Sequence, residues 1–172
     1  MISEISEELR ACLAQIKLLA LDVDGVMTDG GLYYTETGEE LKKFNVKDGL
    51  GIKLLMAAGI QVAIISAGFS VSTLHRAKRL GIDSVFTGIE NKLETLEQLC
   101  RQLNVSLSEV AYMGDDLIDV PILQRVGCPI TVADAMPANQ AIAQYITRLP
   151  GGQGAVREVC DLLLAVQSPL ID

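Results

Sequence analysis

The sequence predicts an α/β protein: a doubly wound, Rossmann-like parallel sheet with a small β-hairpin attached, in a single domain over residues 1–172. Three observations carry this prediction. Helical and strand periods alternate along the whole chain. The strand-like runs, such as Leu19-Ala20-Leu21 and Gln61-Val62-Ala63-Ile64-Ile65, are continuously apolar, as expected of strands covered on both faces. The connections are short, with no Pro/Ser-rich linker, internal repeat or low-complexity segment to divide the chain.

Ile5, Leu9, Cys12, Leu13 and Ile16 form a helical stripe, and the strand that follows ends at Asp22. Leu32 to Thr35 and Leu41 to Val46 flank Glu36-Thr37-Gly38-Glu39, which reads as a hairpin. Gly49 to Ala58 is a helix closed by Gly59, and Gln61 to Ile65 a second buried strand ending at Ser66. Ser70 can cap a helix that runs to Leu80 and stops at Gly81. Ser84 to Thr87 is a short strand, and Asn91-Lys92-Leu93-Glu94 resembles a capping box opening a helix with a stripe at Leu93, Leu96, Leu99, Cys100 and Leu103. Val110 to Met113 is a strand that runs into Gly114-Asp115-Asp116. A helix to Val126, a strand at Pro129 to Val132, a short helix near Ala138 to Ala143, a strand at Tyr145 to Thr147 and a helix from Ala155 to Val166 complete the series.

Composition narrows the class. The 22 acidic against 14 basic residues give a net charge of −8, which disfavours nonspecific binding to nucleic acid or to an anionic membrane and suits a bound divalent cation. No 18-residue apolar run is present, and the opening Met-Ile-Ser-Glu-Ile-Ser-Glu-Glu lacks the features of a secretory signal, so a cytoplasmic location is expected. Cys12, Cys100, Cys128 and Cys160 are scattered, and His75 is the single histidine. Such a set makes a local zinc site unfavourable, and the cysteines are expected to pack as small hydrophobes.

The polar residues at the ends of the apolar runs suggest chemistry. The first strand delivers Asp22 and Asp24 to one side of the sheet before Gly25 turns the backbone. Ser66, Lys92, and Asp115 with Asp116 and Asp119 occupy equivalent places after later strands or at a helix start. In a parallel sheet these points share one edge, where open α/β folds bind ligands. Singly, each has an ordinary reading as a turn, a helix start or a solvated lysine; recurrence at successive strand ends argues for a pocket. Crowded carboxylates call for a hard cation such as Mg²⁺. One carboxylate can attack phosphorus, a second can move the proton, and a hydroxyl with an ammonium can cradle the transferred group.

These residues resemble, in order and spacing, the four motifs of the haloacid dehalogenase superfamily: Asp22-x-Asp24-Gly25-Val26-Met27-Thr28-Asp29, Ser66 after an apolar strand, Lys92, and Gly114-Asp115-x-x-x-Asp119. The chain is similar in particular to a capless branch, the bacterial 3-deoxy-D-manno-octulosonate 8-phosphate phosphatases and related sialic-acid 9-phosphate phosphatases. That likeness runs through Phe44-Asn45-Val46-Lys47-Asp48-Gly49, His75-Arg76-Ala77-Lys78-x-Leu80-Gly81-Ile82 and Pro150-Gly151-Gly152-x-Gly154-Ala155-Val156-Arg157-Glu158. The resemblance implies a sugar phosphatase with no separate cap domain, since Asp24 to Ser66 holds only a hairpin and one helix. It makes Asp22 the nucleophile and a Mg²⁺ ligand, and Asp24 the general acid/base and a ligand through its backbone carbonyl. Ser66 and Lys92 hold phosphate, Asp115 binds Mg²⁺ directly, and Asp116 with Asp119 supports the ligands from behind. Asp48, Gly49, Arg76 and Arg157 are then expected on the sugar side. It also implies a homotetramer in which neighbouring subunits cover the site; Leu32, Tyr34, Leu41 and Phe44 fit such an interface or pack on their own sheet.

One departure bears on the substrate. Octulosonate-processing relatives usually read Ser/Thr-Gly-Arg-x-Ser after the second strand, whereas this chain reads Ser66-Ala67-Gly68-Phe69-Ser70, and Gln153 stands where the tail often has another arginine. Arg76, Lys78 and Arg157 are the cations available to meet a sugar carboxylate, although a solvated helix face accounts equally well for Arg76 and Lys78. Hydrolysis of octulosonate 8-phosphate, hydrolysis of a sialic-acid-type 9-phosphate, and an idle oligomerisation module are the three readings to be separated.

Overall fold

The structure is a computed structural model that describes residues 5–167; the expected domain extends past these at both ends. Six strands form one sheet in the order β5-β4-β1-β6-β7-β8, with every neighbouring pair parallel: β1 (Leu18–Leu21), β4 (Gln61–Ile65), β5 (Ser84–Phe86), β6 (Val110–Met113), β7 (Cys128–Thr131) and β8 (Tyr145–Ile146). From β1 the chain builds outward through β4 and β5, then crosses back to β6 and builds outward on the other side. The crevice between β1 and β6 is therefore the topological switch point, where ligands of such sheets lie.

Alternation along the strands divides the interior into two apolar layers. Leu19 and Leu21 of β1 face α1 (Glu7–Ala14), α2 (Val46–Ala57) and α7 (Ala155–Gln167), packing with Leu13, Ile52, Leu55, Val159 and Leu163. Leu18 and Ala20 face the other way, with Ile65, Leu96, Leu99, Tyr112 and Ile122, against α4 (Lys92–Leu103) and α5 (Val120–Leu123). Cys100, Cys128 and Cys160 are buried free thiols and Cys12 is half-buried, so the cysteines pack as apolar side chains.

Several boundaries shift for local reasons. Helix α2 starts at Val46, three residues ahead of Gly49, because the Asn45 side chain accepts the Lys47 N–H at 2.9 Å and caps it. The helix expected to reach Val126 is a 3₁₀ turn, Leu117–Asp119, followed by the four-residue α5, with Pro121 in the first turn of α5. The hairpin pairs only Tyr33–Tyr34 (β2) with Glu40–Leu41 (β3), so residues 42–45 leave the ladder. Leu32, Tyr34 and Leu41 are exposed, whereas Phe44 packs in part against the core. The remaining helices are α3 (Val71–Leu80), closed by Gly81 in the left-handed conformation, and α6 (Pro137–Ile142).

Candidate active site

Register brings the polar residues together. Leu21 of β1 sits opposite Ile64 of β4 and Met113 of β6, so the residues just beyond these strands emerge at one level. Asp22, Asp24, Gly25, Ser66, Gly68, Lys92, Asp115 and Asp116 line a cleft of about 280 Å³ at this edge. Asp22 is buried: Oδ1 accepts the Val23 N–H at 2.7 Å and Oδ2 lies 2.8 Å from Lys92 Nζ. Lys92 is itself buried at the start of α4, where the Asn91 side chain caps the helix by accepting the Glu94 N–H.

Asp119 lies behind the cleft and is fully engaged. Its Oδ1 accepts the Tyr112 hydroxyl at 2.6 Å and the Lys92 ammonium at 2.8 Å, while Oδ2 accepts the Asp115 and Asp116 N–H groups at 3.0 and 3.3 Å. Asp119 therefore fixes Lys92 from below and shapes the Asp115 loop from the side. Thr131 Oγ1 donates to the Gly114 carbonyl at 2.6 Å and Asn139 Nδ2 to the Asp116 carbonyl at 2.9 Å, holding that loop from β7 and α6. Asp116 accepts the Leu117 N–H and caps the 3₁₀ turn.

The turn after Asp22 aims the next residues. The Val23 carbonyl accepts the Val26, Met27 and Thr28 N–H groups, and Gly25 has φ +83°, a conformation that disfavours any side chain. A Cβ on Gly25 would also lie 2.0 Å from Asp115 Oδ2, so the glycine lets the second carboxylate approach the turn. The segment before α7 closes on the same turn: Gly152 donates to the Val26 carbonyl at 3.0 Å, and a Cβ on Gly151 would stand 1.8 Å from the Gly25 carbonyl oxygen.

The electrostatics fit a hard cation. Asp22, Asp115 and Asp119 offer oxygens all within 4.8 Å of one another, and the adjacent ammonium, Lys92, leaves two negative charges uncompensated. Burial first, then the Asp119 charge, pushes the Asp22 pKa well above the ordinary carboxylate range. Burial together with the charges of Asp22, Asp119 and Asp116 pushes Asp115 up to about 7. Burial opposes the Lys92 charge, yet Asp22 and Asp119 outweigh it and hold the Lys92 pKa above its usual value. Since the Asp119 oxygens already accept four donors, Asp22 and Asp115 are the carboxylates with capacity for a metal, and a divalent charge matches the deficit.

None of the four residues expected on the sugar side lines the carboxylate cleft. Asp48 is buried on α2 against α7, where Oδ1 accepts the Arg157 N–H at 2.8 Å and Oδ2 has no partner; desolvation raises its pKa. It acts as a cap for α7 supplied by another helix. Arg157 turns its guanidinium to Asp161 at 2.7 Å. Gly49 and Arg76 instead line a separate basic groove of about 720 Å³, shared with Lys42, Phe44, Lys53, His75 and Arg79. Arg76 Nη2 donates to the Asn45 carbonyl at 2.9 Å, and its guanidinium lies 5.8 Å from the Phe44 ring centroid. Position 68 faces the cleft, since a Cβ there would stand 3.2 Å from Asp24 Oδ2.

Two residues of the site carry no local signal. Tyr112 reads as an ordinary core residue of β6, and Lys42 as a solvated lysine beside a hairpin. Lys42 in fact places Nζ 2.5 Å from Asp24 Oδ1 and 3.0 Å from Glu40 Oε1. Its neighbour Lys43 pairs with Asp29 at 2.6 Å and stays exposed, so the partner and the burial distinguish the two lysines.

Comparison with known proteins agrees with this geometry. Residues 82–157 match the model of the haloacid dehalogenase-like hydrolase family. The 3-deoxy-D-manno-octulosonate 8-phosphate phosphatase of Escherichia coli (strain B / BL21-DE3) is 46% identical over 166 residues, 96% of this chain and 88% of its own. The crystal structure of the Yersinia pestis 3-deoxy-D-manno-octulosonate 8-phosphate phosphatase superposes with a TM-score of 0.93 at 46% identity, covering 95% of this chain and 88% of that one. The Moraxella catarrhalis enzyme of the same name, in complex with a magnesium ion, a phosphate ion and a KDO molecule, gives 0.91 at 42% identity over 93% of this chain and 92% of that one. With its buried Asp22–Lys92–Asp119 triad at the switch point of the same sheet, the chain belongs to the 3-deoxy-D-manno-octulosonate 8-phosphate phosphatase family of haloacid dehalogenase-like hydrolases.

Proposed function

We propose that this chain is a magnesium-dependent phosphatase that hydrolyses 3-deoxy-D-manno-octulosonate 8-phosphate to 3-deoxy-D-manno-octulosonate and phosphate, a step of the lipopolysaccharide precursor pathway. The observation that carries the chemistry is the buried Asp22 carboxylate 2.8 Å from Lys92, with Asp115 beside it. Relatives at 46% and 48% identity that bear this activity in their names carry the substrate.

In the reading we favour, an Asp22 oxygen bonds to phosphorus as the bond to the sugar oxygen breaks, and the Asp24 carboxyl gives its proton to the departing oxygen. Asp24 then takes a proton from water, whose oxygen displaces Asp22 from phosphorus and restores the free carboxylate. Ser66 and Lys92 hold the phosphoryl oxygens, and Lys92 favours the ionised form of Asp22 and orients it. Mg²⁺ would be held by Asp22, Asp115 and the Asp24 main-chain carbonyl, supplying positive charge to the phosphoryl group. Asp116 and Asp119 support this set from behind.

Sugar recognition falls to Arg76 and Gly49 in the basic groove, whereas Asp48 and Arg157 serve the placement of α7. We further propose a cytoplasmic homotetramer of a single domain over 1–172, with neighbouring subunits covering the cleft. Support comes from the exposed Leu32, Tyr34 and Leu41 of the hairpin and from Phe69 and Val71 beside them. No helix among the described residues is long and apolar enough to cross a membrane, and the net charge of −8 disfavours nucleic acid.

A panel of sugar phosphates assayed with Mg²⁺ tests the function. Octulosonate 8-phosphate is expected to give the highest kcat/KM, above sialic-acid-type 9-phosphates and p-nitrophenyl phosphate. Turnover of the aryl ester without the octulosonate would keep the chemistry and overturn the substrate. No turnover of any ester would favour an idle module.

A further inference from the structure

The Asp24 side chain is 40% exposed at the cleft, yet it is held by a cation whose own side chain is almost enclosed. The Lys42 side chain is only 5% exposed. Its ammonium lies 2.5 Å from Asp24 Oδ1 and 3.0 Å from Glu40 Oε1. A lysine this enclosed costs free energy unless paired, and the two carboxylates supply that pairing.

The grip is directional. Lys42 engages Oδ1 of Asp24, while Oδ2 points toward the Ser66–Gly68 loop, with the Gly68 Cβ direction 3.2 Å away. One carboxylate oxygen is thus pinned and the other is presented to the side of the cleft where Ser66 stands. Lys42 also lies on the wall between the two cavities, since it lines the basic groove while its partner lines the cleft.

The origin of the cation matters as much as its contact. Lys42 follows β3 directly, and a two-residue pairing is too short to hold itself in place. The hairpin is fastened to the first-strand loop by Lys42–Asp24, by Lys43–Asp29 at 2.6 Å and by the Tyr33 hydroxyl on Asp29 at 3.3 Å. The hairpin exposes Tyr34 on one face and Leu41 on the other, so whatever seats the hairpin also sets the Lys42 ammonium.

We propose that Lys42 is a positioning residue for the acid/base step: it orients the Asp24 carboxyl toward the leaving oxygen and couples that orientation to the seating of the hairpin. The proposal rests on the phosphatase reading above. Lys42 touches Asp24 and not the reacting phosphorus, so its loss acts through proton transfer rather than through nucleophilic attack.

The test compares two esters in the Mg²⁺-loaded enzyme. Lys42→Met keeps the length of the side chain and removes the ammonium. An alkyl phosphate such as octulosonate 8-phosphate needs its leaving oxygen protonated; p-nitrophenyl phosphate does not, and depends on Asp24 only for hydrolysis of the aspartyl-phosphate. Lys42→Met is expected to lower kcat on the sugar phosphate at least thirtyfold with KM changed less than threefold. On the aryl ester it should give a burst of about one nitrophenolate per active site before a slow steady state, a signature absent from the wild type. Lys42→Arg should recover at least a third of the lost kcat. Should Lys42→Met not assemble, Lys42→Gln, which retains a donor for one carboxylate, is expected to show the same burst at a smaller loss. A folded variant with kcat within threefold of wild type, or with equal losses on both esters and no burst, would overturn the proposal while leaving the phosphatase reading intact. A wild-type chain inert on both esters would instead remove that reading and this one with it.

Discussion

The carboxylate cleft and the basic groove are linked by the ion pair of Lys42, which lines the groove, with Asp24, which lines the cleft, and they are built on opposite principles. In and behind the cleft, Asp22, Lys92, Asp119 and Tyr112 are buried and each is fixed by at least one partner on another element. In the groove, Lys53 and Arg79 stand at the surface, and Arg76 has one backbone partner at 2.9 Å with its Nε left without a partner. Chemistry on a phosphoryl group demands charges held before the substrate arrives, because their reorganisation would oppose the reaction. Recognition of a sugar tolerates side chains that settle on binding, at some cost in affinity.

The comparison predicts steep losses in the cleft. Asp22→Asn should lower kcat by roughly 10⁴-fold or more, with Tm close to wild type, since the shape survives and a buried charge is removed. More than a small residual rate with metal present would sink the assignment of the nucleophile. Asp24→Asn should cost about 10²–10⁴-fold and trap aspartyl-phosphate, detectable by intact mass after an acid quench. Uniform loss without a trapped species would move the acid/base role to another group.

Metal dependence sharpens the same point through stability. The folded-state pKa of Asp115, about 7, exceeds its ordinary value of 3.8, so between these limits the folded protein binds more protons than the unfolded chain. Stability of the metal-free protein should therefore fall as pH rises through that window. Mg²⁺ relieves the repulsion, so the increase in Tm on its addition should be small near pH 5 and larger near pH 8. Chelation should abolish turnover while the circular dichroism spectrum stays folded. A pH-independent Mg²⁺ shift would argue against binding at Asp22 and Asp115.

The groove should respond gently and selectively. Arg76→Ala is expected to reduce kcat/KM for the sugar phosphate by about 1–3 kcal/mol, the scale of a charge-assisted hydrogen bond, with little change on p-nitrophenyl phosphate. Equal losses on both esters would show that Arg76 acts by supporting Asn45 at the start of α2. Arg157→Ala should be the mildest change, within about threefold on either ester, because its guanidinium meets Asp161 in a partly exposed pair worth about 0.2–1 kcal/mol.

The same contrast explains which parts of the molecule could be read from sequence. Asp22, Asp24, Ser66 and Asp115 follow apolar runs directly, so strand direction and sheet order suffice to gather them. Lys92 has a helix cap beside it and joins them for the same reason. Asp48 meets the Arg157 N–H, 109 positions away, and no local pattern encodes that contact. Tyr112 alternates correctly for a core strand, and its hydroxyl gains meaning only from Asp119 beneath the site. The turn residues mark the hairpin, but its length is not legible, because Lys42 leaves the ladder to pair with Asp24. What escaped sequence reasoning was therefore partnership across elements, which periodicity does not report.

The glycines that close against the turn after Asp22 have a bearing on biosynthesis. Gly151 meets the Gly25 carbonyl from a point 126 residues later in the chain, with no space for even a methyl group between them. A nascent chain that has exposed every strand through β7 already holds Asp22, Lys92 and Asp115, yet lacks the segment that buttresses the turn carrying Asp24. Until that segment leaves the ribosome, five of the six strands and the acidic cluster are present without the buttress of the turn that carries Asp24.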